Sequence, residues 1–286
     1  MSARGAGLNI VRIESLDDPR VEIFRDQPDA WLRARAEGGT GLAPGLFMAE
    51  GELVVRALIE SAYEVESVLI TPTRLDTMQD ILARLPARAP VYLAERAVVA
   101  GIVGFDLHRG VLAAGRRGPE AQPEALIAGC RRLLVMEDLA NHANVGGLLR
   151  SLAALGGPAA GALLSPRCCD PLYRKALRVS MGHALRLPIA RLAPWPQGLA
   201  RLRDAGWRII ALTTDGEPLA PASPPEQDAP PVALLVGAEG PGLSSAALSL
   251  ASQRRGVPMA PGVDSLNVAV AASIAMWSLW PDPNRA

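Results

Sequence analysis

This 286-residue chain lacks several things, and each absence excludes a class of protein. It has three cysteines, Cys130, Cys168 and Cys169. An odd number, two of them adjacent, gives neither a disulfide framework nor metal-ligand spacing, so no metal site is expected. It has no net charge, with 29 Lys and Arg against 29 Asp and Glu, so no global field draws it to nucleic acid. Lys175 is its single lysine. The first residues, MSARGAGLNIVRIESLDDPR, lack the apolar core of a signal peptide, which points to a cytoplasmic location. The uncharged run 268–280 falls short of the roughly 20 apolar residues that cross a bilayer. Pro281 and Asp282 stop it, so no membrane partner is expected. Within it Val270, Ile274 and Trp277 follow i, i+4, i+7 spacing while small Ala and Ser fill the other faces, the pattern of a buried helix.

Apolar periodicity supplies the organisation. In the first part, 67–71, 89–95 and 110–115 read as strands, and 50–62 and 75–85 as helices. Together they make a small α/β domain over 1–115. The Gly-, Pro- and charge-rich stretch 116–124 reads as a linker to a second domain over 125–286. There, 132–138, 160–165, 208–214, 232–238 and 256–260 read as strands. Segments 146–155, 170–182, 199–208, 243–254 and 268–280 read as helices, and the Pro-rich 217–231 as a loop. Strands that are apolar throughout and alternate with helices predict a parallel sheet covered on both faces.

Ligands collect at the carboxyl ends of such strands. Three polar segments fall there: NHANVGGLLR (141–150), GAEGPGLS (237–244) and VPMAPGVDSLN (257–267). The second has the strand–turn–helix setting of a dinucleotide fingerprint. It lacks the third glycine, carries a stiffening Pro241, and leaves too little chain for the ribose-binding acid, which weakens an oxidoreductase reading. A plain glycine-rich turn remains available, yet it does not account for Glu239 among the glycines. Arg167, Arg174, Lys175, Arg178 and Arg186 form a basic cluster opposed only by Asp170. Arg174 and Arg178 share a helical face, suited either to solvent or to phosphate. His108, His142 and His183 have no evident acid–base partner and read as structural.

Taken together and in order, the three segments resemble the motifs of the SpoU-type RNA ribose 2′-O-methyltransferases of the SPOUT superfamily. Asn144 and Arg150, spaced as N-V-G-G-L-L-R, match the first motif. Gly237 to Leu243 match a Gly-x-Glu-Gly-x-Gly-Leu second motif, with Ala238 where many relatives have Asn. The proline-led stretch ending Ser-Leu-Asn-Val matches the third, and RVSMGHALRLPIAR (178–191) is similar to the family's Arg-x-Ser-x-Gly segment. The likeness covers about residues 132–280. MAEGELVVRALIESAYEVESVLIT (48–71) more loosely resembles the RNA-substrate-binding domain of many members, which is related to a large-subunit ribosomal protein.

The resemblance implies an α/β fold with a C-terminal α/β-knot (trefoil-knotted) methyltransferase domain, a connection that ordinary chain-path rules disfavour. It implies S-adenosyl-L-methionine as cofactor, RNA as substrate (rRNA over tRNA), and a homodimer. A catalytically inactive RNA-binding protein of the same fold is the competing reading. Arg150, Asn144, Glu239, Ser265 and Asn267 take the catalytic positions, with Asn144 expected to position Arg150 or the RNA. Gly237, Val257, Met259, Leu266, Leu212 and Thr213 take those of the cofactor site. Arginine stays protonated, so Arg150 suits phosphate gripping and alkoxide stabilisation better than proton removal. Ser265 and Asn267 also suit capping of the final helix.

Overall fold

In the computed structural model, residues 8–25, 28–34, 45–104, 110–219 and 229–280 are described; His108 and the stop at Pro281 and Asp282 lie outside them. Contacts group the chain into two units: Met1–Pro119 with Leu172–Arg186, and Glu120–Pro171 with Leu187–Ala286.

The first unit contains β1 (Ile10–Arg12), α1 (Asp29–Ala34), β2 (Leu46–Glu50), α2 (Glu52–Glu60), β3 (Val65–Ile70), α3 (Pro72–Thr77), α4 (Gln79–Leu82), β4 (Val91–Leu93), α5 (Arg96–Val103) and β5 (Val111–Arg116). Its sheet order is β1-β4-β3-β5-β2, with β5 antiparallel to both neighbours and the other pairs parallel. The two edge strands β1 and β2 were not anticipated from periodicity. Four of the five β2 residues are buried, so it shows no alternation to read. Phe47 of β2 lies opposite Gly115 of β5, and a Cβ on Gly115 would meet the ring at 2.4 Å. The aromatic ring thus fills the space that a side chain at 115 would occupy.

The second unit contains α6 (Pro123–Gly129), β6 (Arg132–Met136), α7 (His142–Leu155), β7 (Ala160–Leu164), β8 (Ile189–Arg191), α9 (Gly198–Asp204), β9 (Arg208–Pro218), β10 (Val232–Val236), α10 (Ser245–Leu248), β11 (Gln253–Gly256) and α11 (Val268–Leu279). The sheet, in the order β11-β9-β10-β6-β7-β8, is parallel throughout. Leu133, Val135, Ala233 and Leu235 join one core with Leu126, Leu199, Leu202 and Ala247 from α6, α9 and α10. Alternation turns Leu134, Met136, Leu234 and Val236 to the opposite face, where α7 and α11 pack on each other and on β7 and β10. The doubly covered parallel sheet expected from the apolar runs is present.

Several boundaries differ from expectation for physical reasons. α7 starts at His142 rather than 146, because Asn141 caps it by accepting from the Ala143 N–H at 2.9 Å. The helix expected over 243–254 shortens to α10. Ser252 is drawn onto β9, donating its N–H to the Ile209 carbonyl at 2.8 Å and accepting the Ile209 N–H at its hydroxyl. β11 therefore precedes the strand expected at 256–260, and Pro258, with no N–H to offer, lies beyond the pairing. Between its pairings with Arg254 and Arg255, β9 runs through the unpaired excursion 212–216.

The arginines of the basic cluster do not stand alone. On α8 (Arg174–Val179), which belongs to the first unit, Arg174 pairs with Asp29 at 3.2 Å and Arg178 with Glu50 at 3.3 Å. Arg186 pairs with Glu60 at 2.5 Å, and Gly182, at φ 80°, packs so tightly that a Cβ would meet that of Ala57 at 2.5 Å. Nor is the closing helix buried all round. Val270, Ile274 and Trp277 are exposed, Trp277 at 55%, while Ala272, Ala275 and Met276 face the core.

Candidate active site

The strand order reverses between β6 and β10: from β6 the chain moves outward through β7 and β8, whereas β10 is followed by β11 on the far side of β9. A crevice at the carboxyl ends of two such strands is where open α/β sheets hold ligands. The first motif leaves β6 there, the second leaves β10, and the third leaves β11.

The side-chain link between motifs is a hydrogen bond. Asn267 Nδ2 donates to Asn144 Oδ1 at 2.9 Å, while Asn267 Oδ1 caps α11 by accepting from the N–H groups of Ala269 and Val270. One carboxamide therefore fixes the start of α11 to the first turn of α7. The two helices then continue together. A Cβ on Gly147 would meet the Ala269 Cβ at 3.2 Å, and the hydroxyls of Ser151 and Ser273 lie 2.7 Å apart. Asn144 is 9% exposed, so its oxygen depends on this partner.

Asn144 does not hold Arg150. Six residues along a helix turn a side chain by about 240° and raise it about 9 Å. Asn144 faces α11, whereas Arg150 is exposed and has no hydrogen bond or ion pair among the described residues. Glu239 is likewise exposed without a hydrogen bond, and Ser265 sits exposed two residues before the cap. Burial, then the neighbouring Cys168 and Asp170, push the Cys169 thiol up to about 12. Glu239 adds to that rise, so its charge is felt at the loop after β7.

Gly237 is required by the chain itself. A Cβ there would lie 2.4–2.5 Å from the backbone of Gly242 and Leu243, so the 237–243 loop doubles back on its first residue. Gly240 and Gly242, at φ 91° and 68°, take the left-handed turns this requires. Val257 and Met259 are half-buried beyond β11, Leu266 is exposed, and Leu212 and Thr213 enter the β9 excursion.

Two acids at the end of β6 carry more than their sequence context indicated. Asp138 adopts φ 53°, accepts the Ser165 hydroxyl at 2.7 Å and pairs with Arg167, whose hydrogen bond holds its carboxyl below the ordinary value. Glu137 is 3% exposed and accepts three hydrogen bonds, from Trp195 Nε1 at 2.7 Å and from the Ser244 hydroxyl and N–H at 2.7 and 2.8 Å. The only local signal was an acid closing an otherwise apolar strand.

A parallel sheet with its polar loops gathered at a switch point is the architecture of an α/β enzyme domain, and solved RNA methyltransferases share it. The AdoMet-bound rRNA methyltransferase of Sinorhizobium meliloti covers 94% of this chain and 97% of its own at 23% identity, with a TM-score of 0.75. A structure described as an RNA 2′-O ribose methyltransferase covers 94% and 97% at 24% identity, with a TM-score of 0.66. In sequence, an uncharacterized tRNA/rRNA methyltransferase of Mycobacterium bovis is 42% identical over 275 residues, 95% of this chain and 92% of that protein. Residues 131–277 match the SpoU rRNA methylase family, and the chain belongs to it.

Proposed function

We propose that this protein transfers the methyl group of S-adenosylmethionine to a ribose 2′-hydroxyl of structured RNA, rRNA in preference to tRNA, working as a homodimer. The observation that carries the reading is the Asn144–Asn267 hydrogen bond, which joins the first motif, after β6, to the third, at the head of α11.

The chain's own groups fit the cofactor. Thr213 Oγ1, in the β9 excursion, is buried without a partner among the described residues. The main-chain N–H groups of Met259 and Leu266 donate to no described protein acceptor. Thr213, Met259 and Leu266, with Val257 and Leu212 as apolar contacts and Gly237 shaping the loop, would hold it. When bound it supplies an electrophilic methyl group. The trefoil threading implied by the resemblance belongs to the same proposal.

A ribose hydroxyl must be aligned and relieved of its proton. Arg150, of the first motif, is a cation available for this. Arg167, Arg174, Arg178 and Arg186 are each committed to a carboxylate, whereas Arg150 has none among the described residues. Its fork can grip the phosphate next to the target and stabilise developing alkoxide charge. The exposed Glu239 carboxylate can accept the proton, and Ser265 can orient the hydroxyl. Asn144 and Asn267 tie α7, which carries Arg150, to the head of α11, two residues after Ser265. The uncovered stripe of Val263, Leu266, Val270, Ile274 and Trp277 is the face a second copy would bury.

Incubation of the full chain with labelled S-adenosylmethionine and total RNA, followed by mapping of the product, tests the reading. Label on a ribose 2′-oxygen of rRNA is expected. Label on a base, or none, overturns the reaction, and label on tRNA alone overturns the substrate preference.

A further inference from the structure

We propose that Glu137 is the positioning residue for the second-motif loop: its carboxylate and backbone close both ends of residues 237–243 and so set where Gly237 and Glu239 stand. The proposal rests on the methyltransferase reading for its catalytic consequence, but its structural content stands on hydrogen bonds.

At the start of the loop, the Glu137 N–H donates to the carbonyl of Val236, the last residue of β10, at 2.8 Å. At the end, its side chain receives both the N–H and the hydroxyl of Ser244, the cap of α10. Between these ties the loop is pinched further, with the Gly242 N–H donating to the Ala238 carbonyl at 3.0 Å. Trp195 Nε1 donates to Oε1, the oxygen that also accepts the Ser244 hydroxyl, and Trp195 itself packs against the core beneath. Glu239 is exposed and has no hydrogen bond among the described residues, so the ties at the two ends of its loop are what set its place.

The donor set demands a carboxylate. Trp195 Nε1 and the Ser244 N–H point at different oxygens of the same group, and neither can act as acceptor. Glutamine has one oxygen. Turned toward Ser244, it aims its NH₂ at the indole N–H; turned toward Trp195, it aims that NH₂ at the amide N–H. The Ser244 hydroxyl can rotate to accept, so the conflict always involves one of the two N–H groups. Replacing Trp195 by Phe removes the indole donor and lets glutamine satisfy Ser244.

The test compares wild type, Glu137→Gln, and the double variant Glu137→Gln with Trp195→Phe, each as the full chain. Amide exchange of residues 238–243 in the free protein reads the loop, and calorimetry and single-turnover methylation read its consequence. In Glu137→Gln, exchange of the loop is expected to rise about tenfold or more, from the loss of a buried hydrogen bond. S-adenosylmethionine affinity and the rate at saturating cofactor are each expected to fall about tenfold, while exchange in β6 and β10 stays at wild-type levels. The double variant is expected to recover most of all three, which general damage to the fold would not do. Wild-type exchange and kinetics in Glu137→Gln, or no recovery in the double variant, overturns the assignment. A wild-type protein that binds no S-adenosylmethionine refutes the methyltransferase reading instead, and the exchange comparison still decides the role of Glu137.

Discussion

Replacing Asn267 by serine separates two jobs that one side chain performs. Its Oδ1 caps α11 while its Nδ2 satisfies Asn144. Serine caps about as well as asparagine, but it has no second group to extend toward Asn144. The buried Asn144 oxygen then loses its partner, which costs about 1–3 kcal/mol. Alanine loses the cap as well, a further ~0.5–2 kcal/mol. Urea unfolding of both variants, followed through the fluorescence of the five tryptophans, should therefore rank Asn267→Ala below Asn267→Ser and both below wild type. A double-mutant cycle of Asn267→Ser with Asn144→Ala isolates the link, with an expected coupling of roughly 0.5–1.5 kcal/mol. Equal losses for serine and alanine, with a coupling below about 0.3 kcal/mol, would refute the reasoning. The docking of α7 on α11 would then rest on its other contacts, the Gly147–Ala269 approach and the Ser151–Ser273 hydroxyl pair among them.

Arg150→Ala should slow single-turnover methylation by about a hundred- to a thousand-fold with little change in S-adenosylmethionine binding. Arg150→Lys should not restore the rate, because an ammonium lacks the planar fork; recovery with lysine would mean that charge alone suffices. Trp277→Glu with Ile274→Glu should turn a dimer into a monomer in sedimentation at micromolar concentration, and an unchanged sedimentation coefficient would remove the helix from the interface. Asp138→Asn keeps a residue type that tolerates φ 53° while deleting the charge facing Arg167. Because the folded pKa of Asp138 is depressed, its contribution is complete above the unfolded value of about 3.9 and disappears as pH falls through the lower folded value. Thermal melts of wild type and variant should thus differ at neutral pH and converge in strong acid, and a constant difference across that range would contradict the pairing.

The sequence by itself determined the parallel sheet, because runs such as 133–136 and 232–236 are apolar on both faces and only a doubly covered strand has use for that. It also placed the three polar segments at strand ends and in order, since each follows its strand within a few residues. What it could not settle depends on partners far along the chain. Glu137 takes its donors from residues 58 and 107 positions away, so an acid after an apolar strand reads locally as nothing more than a strand end. The carboxylates that pair with Arg174, Arg178 and Arg186 lie 126 to 145 residues earlier, beyond the reach of any local pattern. That same segment, 172–186, groups with the first unit, so a cut near residue 124 would separate it from the residues it packs on. Periodicity could not identify the outward face of α11, because a helix apolar nearly all round has no polar side to mark it. The tertiary structure decided that face by packing α7 and the sheet against Ala272, Ala275 and Met276 and leaving Val270, Ile274 and Trp277 uncovered. Local pattern reports what an element can bury; which neighbours arrive to bury it is a property of the whole chain.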